Sequence, residues 1–246
     1  MRRPPHPGHS PRVPHRKGGY FGPSNPELAG IWVSTNDGGE NWSTVVQPYL
    51  PALSALSAHE DSDLWMVGEE GVVLKAQLNV ASFTNTSDLR GVALTDASTA
   101  WVISNTTIWR TSDAGDTWGS AFNYATLGIS SADHLEAIDF ADSSDGWVVG
   151  KNSTIVHIDA SADKFTWQGL GTDTYFRDVH AVSGSSAWAV GDGGAIVSYS
   201  DTAAQPWQSQ TSETSADLRG VHFVDENTGW AVGADGTILK TTNGGW

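Results

Sequence analysis

The 246-residue chain contains no cysteine, which excludes disulfides, thiolate metal sites and cysteine nucleophiles and leaves the redox compartment unmarked. Methionine occurs only twice and charged residues make up only 17%, against 27 glycines and 12 tryptophans. That balance describes sheets joined by tight turns and pinned by aromatic side chains, not a helical protein. No run approaches the ~18 apolar residues that a membrane-spanning helix needs, so the chain is not expected to span a membrane, although peripheral attachment stays open. The N-terminus lacks the apolar stretch of a signal peptide. Basic residues are scarce, with Lys+Arg at 13 against Asp+Glu at 28 and a net charge of -15. Five of the cations, Arg2, Arg3, Arg12, Arg16 and Lys17, crowd into residues 1–28, so the rest of the chain is more acidic than the net figure suggests. Such a body repels phosphate backbones, and nucleic acid is not an expected partner.

Residues 1–28 are rich in Pro, Gly and His and show no apolar periodicity, so they cannot build a core. They read either as a disordered tail or as a strap that docks on another surface. Residues 29–246 read as one all-β domain, since closed all-β architectures often run past the usual domain size without splitting.

What the chain does have is an internal repeat. Trp65-Met66-Val67-Gly68, Trp147-Val148-Val149-Gly150, Trp188-Ala189-Val190-Gly191 and Trp230-Ala231-Val232-Gly233 share one phrase, and Trp101-Val102-Ile103-Ser104 differs only in losing the glycine. At constant spacing before these tryptophans comes another strand, seen at Leu89, Leu135, Phe176 and Leu218. A third strand follows a glycine or polar turn and is expected to begin at Gly71, Thr107, Gly194 and Gly236. Alternation of period two between turn residues marks each segment as a strand.

The third strand leads into a turn read most clearly at Thr111-Ser112-Asp113-Ala114-Gly115-Asp116-Thr117-Trp118, with a second copy containing Asp37, Gly39, Asn41 and Trp42. Here Asp113 and Asp37 are expected to accept backbone N–H groups, Gly115 and Gly39 to supply a left-handed conformation, and the closing tryptophan to bury itself. On this reading five tryptophans open the second strand, five close the turn (Trp42, Trp118, Trp167, Trp207, Trp246) and Trp32 and Trp109 sit on the third strand. None is left over for a carbohydrate-binding platform.

The turn from Ser112 to Trp118 resembles the Asp-box of neuraminidase-type repeats. The longer phrase from Leu218 to Trp246, with Thr228-Gly229-Trp230-Ala231-Val232-Gly233 and Thr241-Thr242-Asn243-Gly244-Gly245, resembles the photosystem II stability/assembly factor family. The resemblance implies a β-propeller of four-stranded blades that acts as a non-catalytic scaffold. It also implies a protein complex as partner, a photosystem first among them, and a thylakoid or plastid setting. Two departures stand out: photosynthetic members usually carry seven blades and a basic patch, whereas this body is acidic. Five to six blades are expected here. Four units are complete, the first is represented only from Gly30 to Val46, and the last stops inside its turn, as in a fragment or an irregularly closed ring. The alternative is a secreted or exported glycan-binding protein, or a degenerate sialidase-like glycosidase.

Arg90, Arg177 and Arg219 share one repeat slot, with Glu136 in the same slot of the unit between them. In a propeller that slot falls at one mouth of the central channel, where these residues are expected to form a partner-binding ring or to pair locally with acids. His180 and His222 share a second slot and either join the ring or serve as hydrogen-bonded core groups. The only sialidase-like assembly available is Tyr175, Arg177 and Glu136. No cofactor and no metal site is expected, since two histidines without a third ligand are a weak signal. Four glycosylation sequons occur, at Asn41, Asn85, Asn105 and Asn152.

Overall fold

The computed structural model describes residues 30–35, 37, 39–47, 51–59, 63–75, 79–80, 83–123, 134–202 and 205–245. The proposed arm at 1–28 and Trp246 lie outside the described residues. Among the described residues there is no α-helix, and the strands fall into small antiparallel sheets. A two-stranded sheet pairs β1 (Gly30–Ser34) with β2 (Ser43–Gln47). Blade 1 contains β3 (Leu53–His59), β4 (Asp63–Gly68), β5 (Val73–Lys75) and β6 (Asn79–Val80). Blade 2 contains β7 (Leu89–Leu94), β8 (Ala100–Ser104), β9 (Thr107–Thr111) and β10 (Gly119–Asn123). Blade 3 contains β11 (Leu135–Phe140), β12 (Asp145–Gly150), β13 (Ile155–Asp159) and β14 (Lys164–Trp167). Blade 4 contains β15 (Phe176–Ser183), β16 (Ser186–Gly191), β17 (Ile196–Ser200) and β18 (Trp207–Gln210). Blade 5 has three strands, β19 (Leu218–Phe223), β20 (Gly229–Gly233) and β21 (Ile238–Thr241).

The first strands β3, β7, β11, β15 and β19 lie side by side in succession, which makes them the inner strands of a five-bladed β-propeller. The core lies between blades. Each repeat tryptophan, Trp65, Trp101, Trp147 and Trp188, is buried and faces the following blade. Each also meets an aromatic ring there: Trp118 at 5.8 Å, Phe140 at 5.3 Å, Tyr199 at 5.2 Å and Phe223 at 3.7 Å. Removing 150–250 Å² per indole from water stabilises by about 4–6 kcal/mol as an upper bound. Blade 5 differs. Val232 and Ile238 are 46% and 72% exposed, whereas Val67, Val149 and Val190 in the slot of Val232 are fully buried.

The glycine that ends the tryptophan phrase has a steric cause. A Cβ at Gly68, Gly150, Gly191 or Gly233 would lie 2.0, 1.9, 2.2 or 2.2 Å from the carbonyl oxygen of the residue before the inner strand. That carbonyl instead accepts the N–H of the residue after the glycine, as from Lys151 to His134 at 2.8 Å and from Asp192 to Tyr175 at 3.0 Å. In three blades the chain then makes a 3-10 turn, Glu69–Gly71, Asp192–Gly194 or Ala234–Gly236, whose last residue is a glycine with φ of 71–77°. The third strands therefore start at Val73, Ile196 and Ile238, two residues later than the glycines from which the sequence pattern starts them.

Polar ties cross between inner strands. Ser57 Oγ accepts the Leu94 N–H at 3.1 Å, Asp139 Oδ2 that of Ala181 at 2.9 Å, and Asp178 Oδ2 that of Val221 at 2.9 Å.

Candidate functional site: the bulged rim of the inner strands

Every inner strand carries one extra residue at the same place. Pairing with the second strand jumps from Leu53 to Ala55, Leu89 to Gly91, Leu135 to Ala137, Phe176 to Asp178 and Leu218 to Gly220. The residues left out of the ladder are Ser54, Arg90, Glu136, Arg177 and Arg219. A bulge takes a side chain out of the in-and-out alternation and re-aims it. Because the inner strands are successive neighbours in equivalent register, the five bulges fall on one rim, and the sequence slot of the three arginines and Glu136 is thereby a structural slot.

Two of the arginines are held by acceptors. Arg90 donates through Nη1 to Glu136 Oε2 at 3.1 Å, across the blade boundary, and through Nε to Asn105 Oδ1. Arg177 makes a bidentate pair with Asp192 at 2.6 and 2.8 Å, and its guanidinium lies 3.7 Å over the Tyr175 ring. Tyr175 donates its hydroxyl to Glu136 Oε2 at 2.7 Å. Burial, then the Glu136 hydrogen bond and charge, push the Tyr175 phenol up to about 12. The three residues of the sialidase-like grouping thus do meet, but the carboxylate is shared by the phenol and Arg90, and Arg177 is tied to Asp192. Arg219 stands apart. It is exposed, and where blade 4 places Asp192 directly after Gly191, blade 5 places Ala234 after Gly233, so the position that pairs with Arg177 in blade 4 holds no carboxylate in blade 5. Arg219 has no ion-pair partner among the described residues.

The two histidines also meet, with ring centroids 4.5 Å apart. His180 is buried between blades, with Nδ1 3.1 Å from Asp139 Oδ2 and Nε2 2.9 Å from the Phe223 carbonyl oxygen. That geometry links blades 3, 4 and 5 through one ring. No cluster of metal-ligating side chains is present among the described residues.

The Asp-box carboxylates are spent on their own turns. Asp113 accepts from Thr111 Oγ1 at 2.7 Å and from the Thr117 N–H and hydroxyl at 2.9 and 2.5 Å. Those bonds, led by the Thr117 hydroxyl, lower its pKa to about 2. Asp37 does the same with Thr35 and Asn41, led by the Asn41 N–H, and lies well below the usual carboxylate range. Gly39 and Gly115 have φ of 96° and 84°, as the turn requires. The closing tryptophans are less uniform than the sequence suggests. Trp207 is buried, but Trp42 and Trp167 are 48% and 47% exposed. Trp42 donates to the Gly39 carbonyl at 3.1 Å within the turn, and in blade 3 the core position is taken by Phe165, stacked on Phe122 at 5.1 Å. Register also separates Trp246 from the others. Gly245 donates to Thr241 Oγ1 as Gly115 does to Thr111 Oγ1, yet Trp118 follows its glycine by three positions and Trp246 by one.

Of the sequon asparagines, Asn85 is exposed and accepts the Ser87 N–H in a local turn. Asn41 donates to Asp37, Asn105 accepts from Arg90, and Asn152 is half-buried with φ of 54°.

No family model and no curated protein matches the chain. Solved structures do. YCF48 bound to D1 peptide is 17% identical with a TM-score of 0.66 over 87% of this chain and 72% of that one. YCF48 from Cyanidioschyzon merolae is 14% identical, also with a TM-score of 0.66, over 95% and 87%. A COPII outer coat vertex on membranes is 10% identical with a TM-score of 0.67, over 88% and 65%. At these identities the likeness is one of fold, and the chain is a β-propeller similar in architecture to YCF48 and to other propellers.

Proposed function

We propose that this propeller is a non-catalytic scaffold that docks onto a larger protein complex by receiving a carboxylate-bearing segment of a partner chain at the bulged rim. Arg219 carries the reading: it is an exposed guanidinium whose sister residues are each held by a protein acceptor, and a carboxylate is the ligand that a planar guanidinium binds in two-point fashion. Tyr175, Glu136 and the paired arginines form the fixed ground around it. The absence of chemistry at this rim is supported by the same contacts. A phenol pushed up to about 12 is a poor nucleophile at neutral pH, and Glu136 already accepts two donors. The similarity in fold to a YCF48 structure that contains a D1 peptide favours a polypeptide ligand, and a photosystem is the first complex to test.

The test is affinity capture from an extract with the full chain, comparing the wild type with Arg219→Ala and with Lys164→Ala on the exposed outer strand of blade 3. Hydrogen bonds to charged groups contribute about 1.5–3 kcal/mol, so Arg219→Ala should reduce partner recovery roughly 10- to 100-fold while Lys164→Ala leaves it unchanged. Equal recovery with all three proteins, at equal thermal stability, rules the rim out as the docking site.

A further inference from the structure

Three titratable side chains occupy one layer of the inner strands. The residue paired with each repeat tryptophan is Ser57, Ala93, Asp139, His180 and His222 in turn, so an acid and two histidines fall side by side in blades 3, 4 and 5. Asp139 and His180 are 5% and 2% exposed.

This position ties each inner strand to the next. Ser57 accepts the N–H of Leu94 and Asp139 that of Ala181, each time from the residue one place further along the following inner strand. His180 stands in the same slot and faces Phe223, the counterpart of Leu94 and Ala181, but it meets the carbonyl oxygen at 2.9 Å instead of an N–H. A carbonyl only accepts, so Nε2 carries a hydrogen. Nδ1 lies 3.1 Å from Asp139 Oδ2, and a carboxylate also only accepts. Neutral imidazole has one N–H for these two acceptors, whereas imidazolium has two. Asp139 Oδ2 also receives the Ala181 N–H at 2.9 Å, which favours the ionised carboxylate and leaves the proton on the ring.

Among the described residues, Asp139 and His222 are the titratable groups that face this ring from the strands packed against β15, with the His222 centroid 4.5 Å away. Two imidazolium rings so close repel, so the two histidines share one proton. The other charged groups nearby are engaged elsewhere. Glu136 accepts from Arg90 and Tyr175, Asp145 is held by His157 at 3.0 Å, Glu226 accepts the Ser183 and Ser186 hydroxyls, and Arg219 lies on the bulged rim. On β15 itself Arg177 pairs with Asp192, and Asp178 accepts the Val221 N–H.

We propose that Asp139 and His180 form a proton-loaded clamp that seats blade 5 on blade 4, with His180 held as an imidazolium between the Asp139 carboxylate and the Phe223 carbonyl. Loss of the proton leaves one acceptor facing a ring lone pair, and the tie from β15 to β19 opens at alkaline pH. The clamp lies inside the blade boundary and does not depend on Arg219 or on a ligand at the rim. The folded chain binds one proton that an unfolded histidine gives up near pH 6.5. The contribution is therefore complete below about pH 6.5 and falls above it, by up to about tenfold per pH unit in the unfolding equilibrium constant.

Long-range proton–nitrogen NMR correlation spectra of the isotope-labelled full chain read the ring nitrogens directly. Near pH 7.5, about one unit above the ordinary histidine value, both nitrogens of His180 should carry hydrogen. Urea unfolding of the wild type and of His180→Gln, whose amide can donate to the carbonyl but does not titrate, gives a second reading. The advantage of the wild type should shrink by up to about tenfold per unit above about pH 6.5. A single protonated nitrogen near that pH, or parallel pH curves for the two proteins, overturns the proposal. If His180→Gln does not fold, the wild-type spectrum decides alone.

Discussion

Trp147 and Trp230 occupy the same repeat slot, each after a glycine and each followed two and three positions later by valine and glycine, yet the fold gives them different energies. Trp147 is fully buried, with the His157 ring at 4.9 Å and the Tyr199 ring of the next blade at 5.2 Å. Truncation to alanine removes that burial and leaves a cavity in a packed boundary, which costs about 3–5 kcal/mol. Trp230 is half-buried beside Val232 and Ile238, and what it has is the Lys240 ammonium 5.4 Å from its ring centre. An exposed cation–π contact contributes about 0.5–1 kcal/mol, so Trp230→Ala should cost about 1 kcal/mol. In a domain of this size about 1 kcal/mol moves Tm by about 2–4 °C, which separates the two variants by on the order of 10 °C. Urea unfolding followed by far-UV circular dichroism measures both, with an unchanged m-value as the check that the unfolded state is the same. Equal losses for the two variants would refute the claim that the outward face of blade 5 differs from the four boundaries.

Three further outcomes follow from the described contacts. Gly191→Ala puts a Cβ 2.2 Å from the Tyr175 carbonyl and should cost at least about 3 kcal/mol, while Gly193→Asn should cost under about 1 kcal/mol, since Glu70 and Asp235 hold the same left-handed position in blades 1 and 5; thermal melts distinguish them. Asp139→Ala strips the buried carboxylate from the Ala181 N–H and from His180 and should destabilise by about 3 kcal/mol, with early exchange of amides in β15. Asp113 has its pKa lowered to about 2, so its contribution is complete above the unfolded value near 4 and disappears as pH falls through 2; Tm should drop across that window, and less steeply in Asp113→Asn.

The blades were legible because their pattern is local. A tryptophan, a buried strand and a turn glycine recur at fixed distances, and each feature follows from one blade's own backbone and the face it turns to its neighbour. The rim was legible only as a slot. That Arg90, Glu136, Arg177 and Arg219 are bulged depends on pairing with the next strand, which leaves no mark in composition, and that Asp192 serves Arg177 while Arg219 has no ion-pair partner among the described residues depends on how loops meet. The exposure of Trp42 and Trp167 was hidden for the same reason. The turn motif fixes a tryptophan's position in the chain, but whether a neighbouring sheet covers it is decided by tertiary packing, and in blade 3 Phe165 is the residue covered.

The repeated bulge also bears on how such a protein can change. Because the extra residue lies outside the ladder and outside the apolar boundary, its identity is nearly free of the constraints that fix the tryptophan and the glycine, as the series serine, arginine, glutamate, arginine, arginine already illustrates. The charge of the rim can therefore be rewritten one blade at a time by single substitutions, at Glu136 with loss of its contacts to Arg90 and Tyr175 and elsewhere without touching the packed indoles.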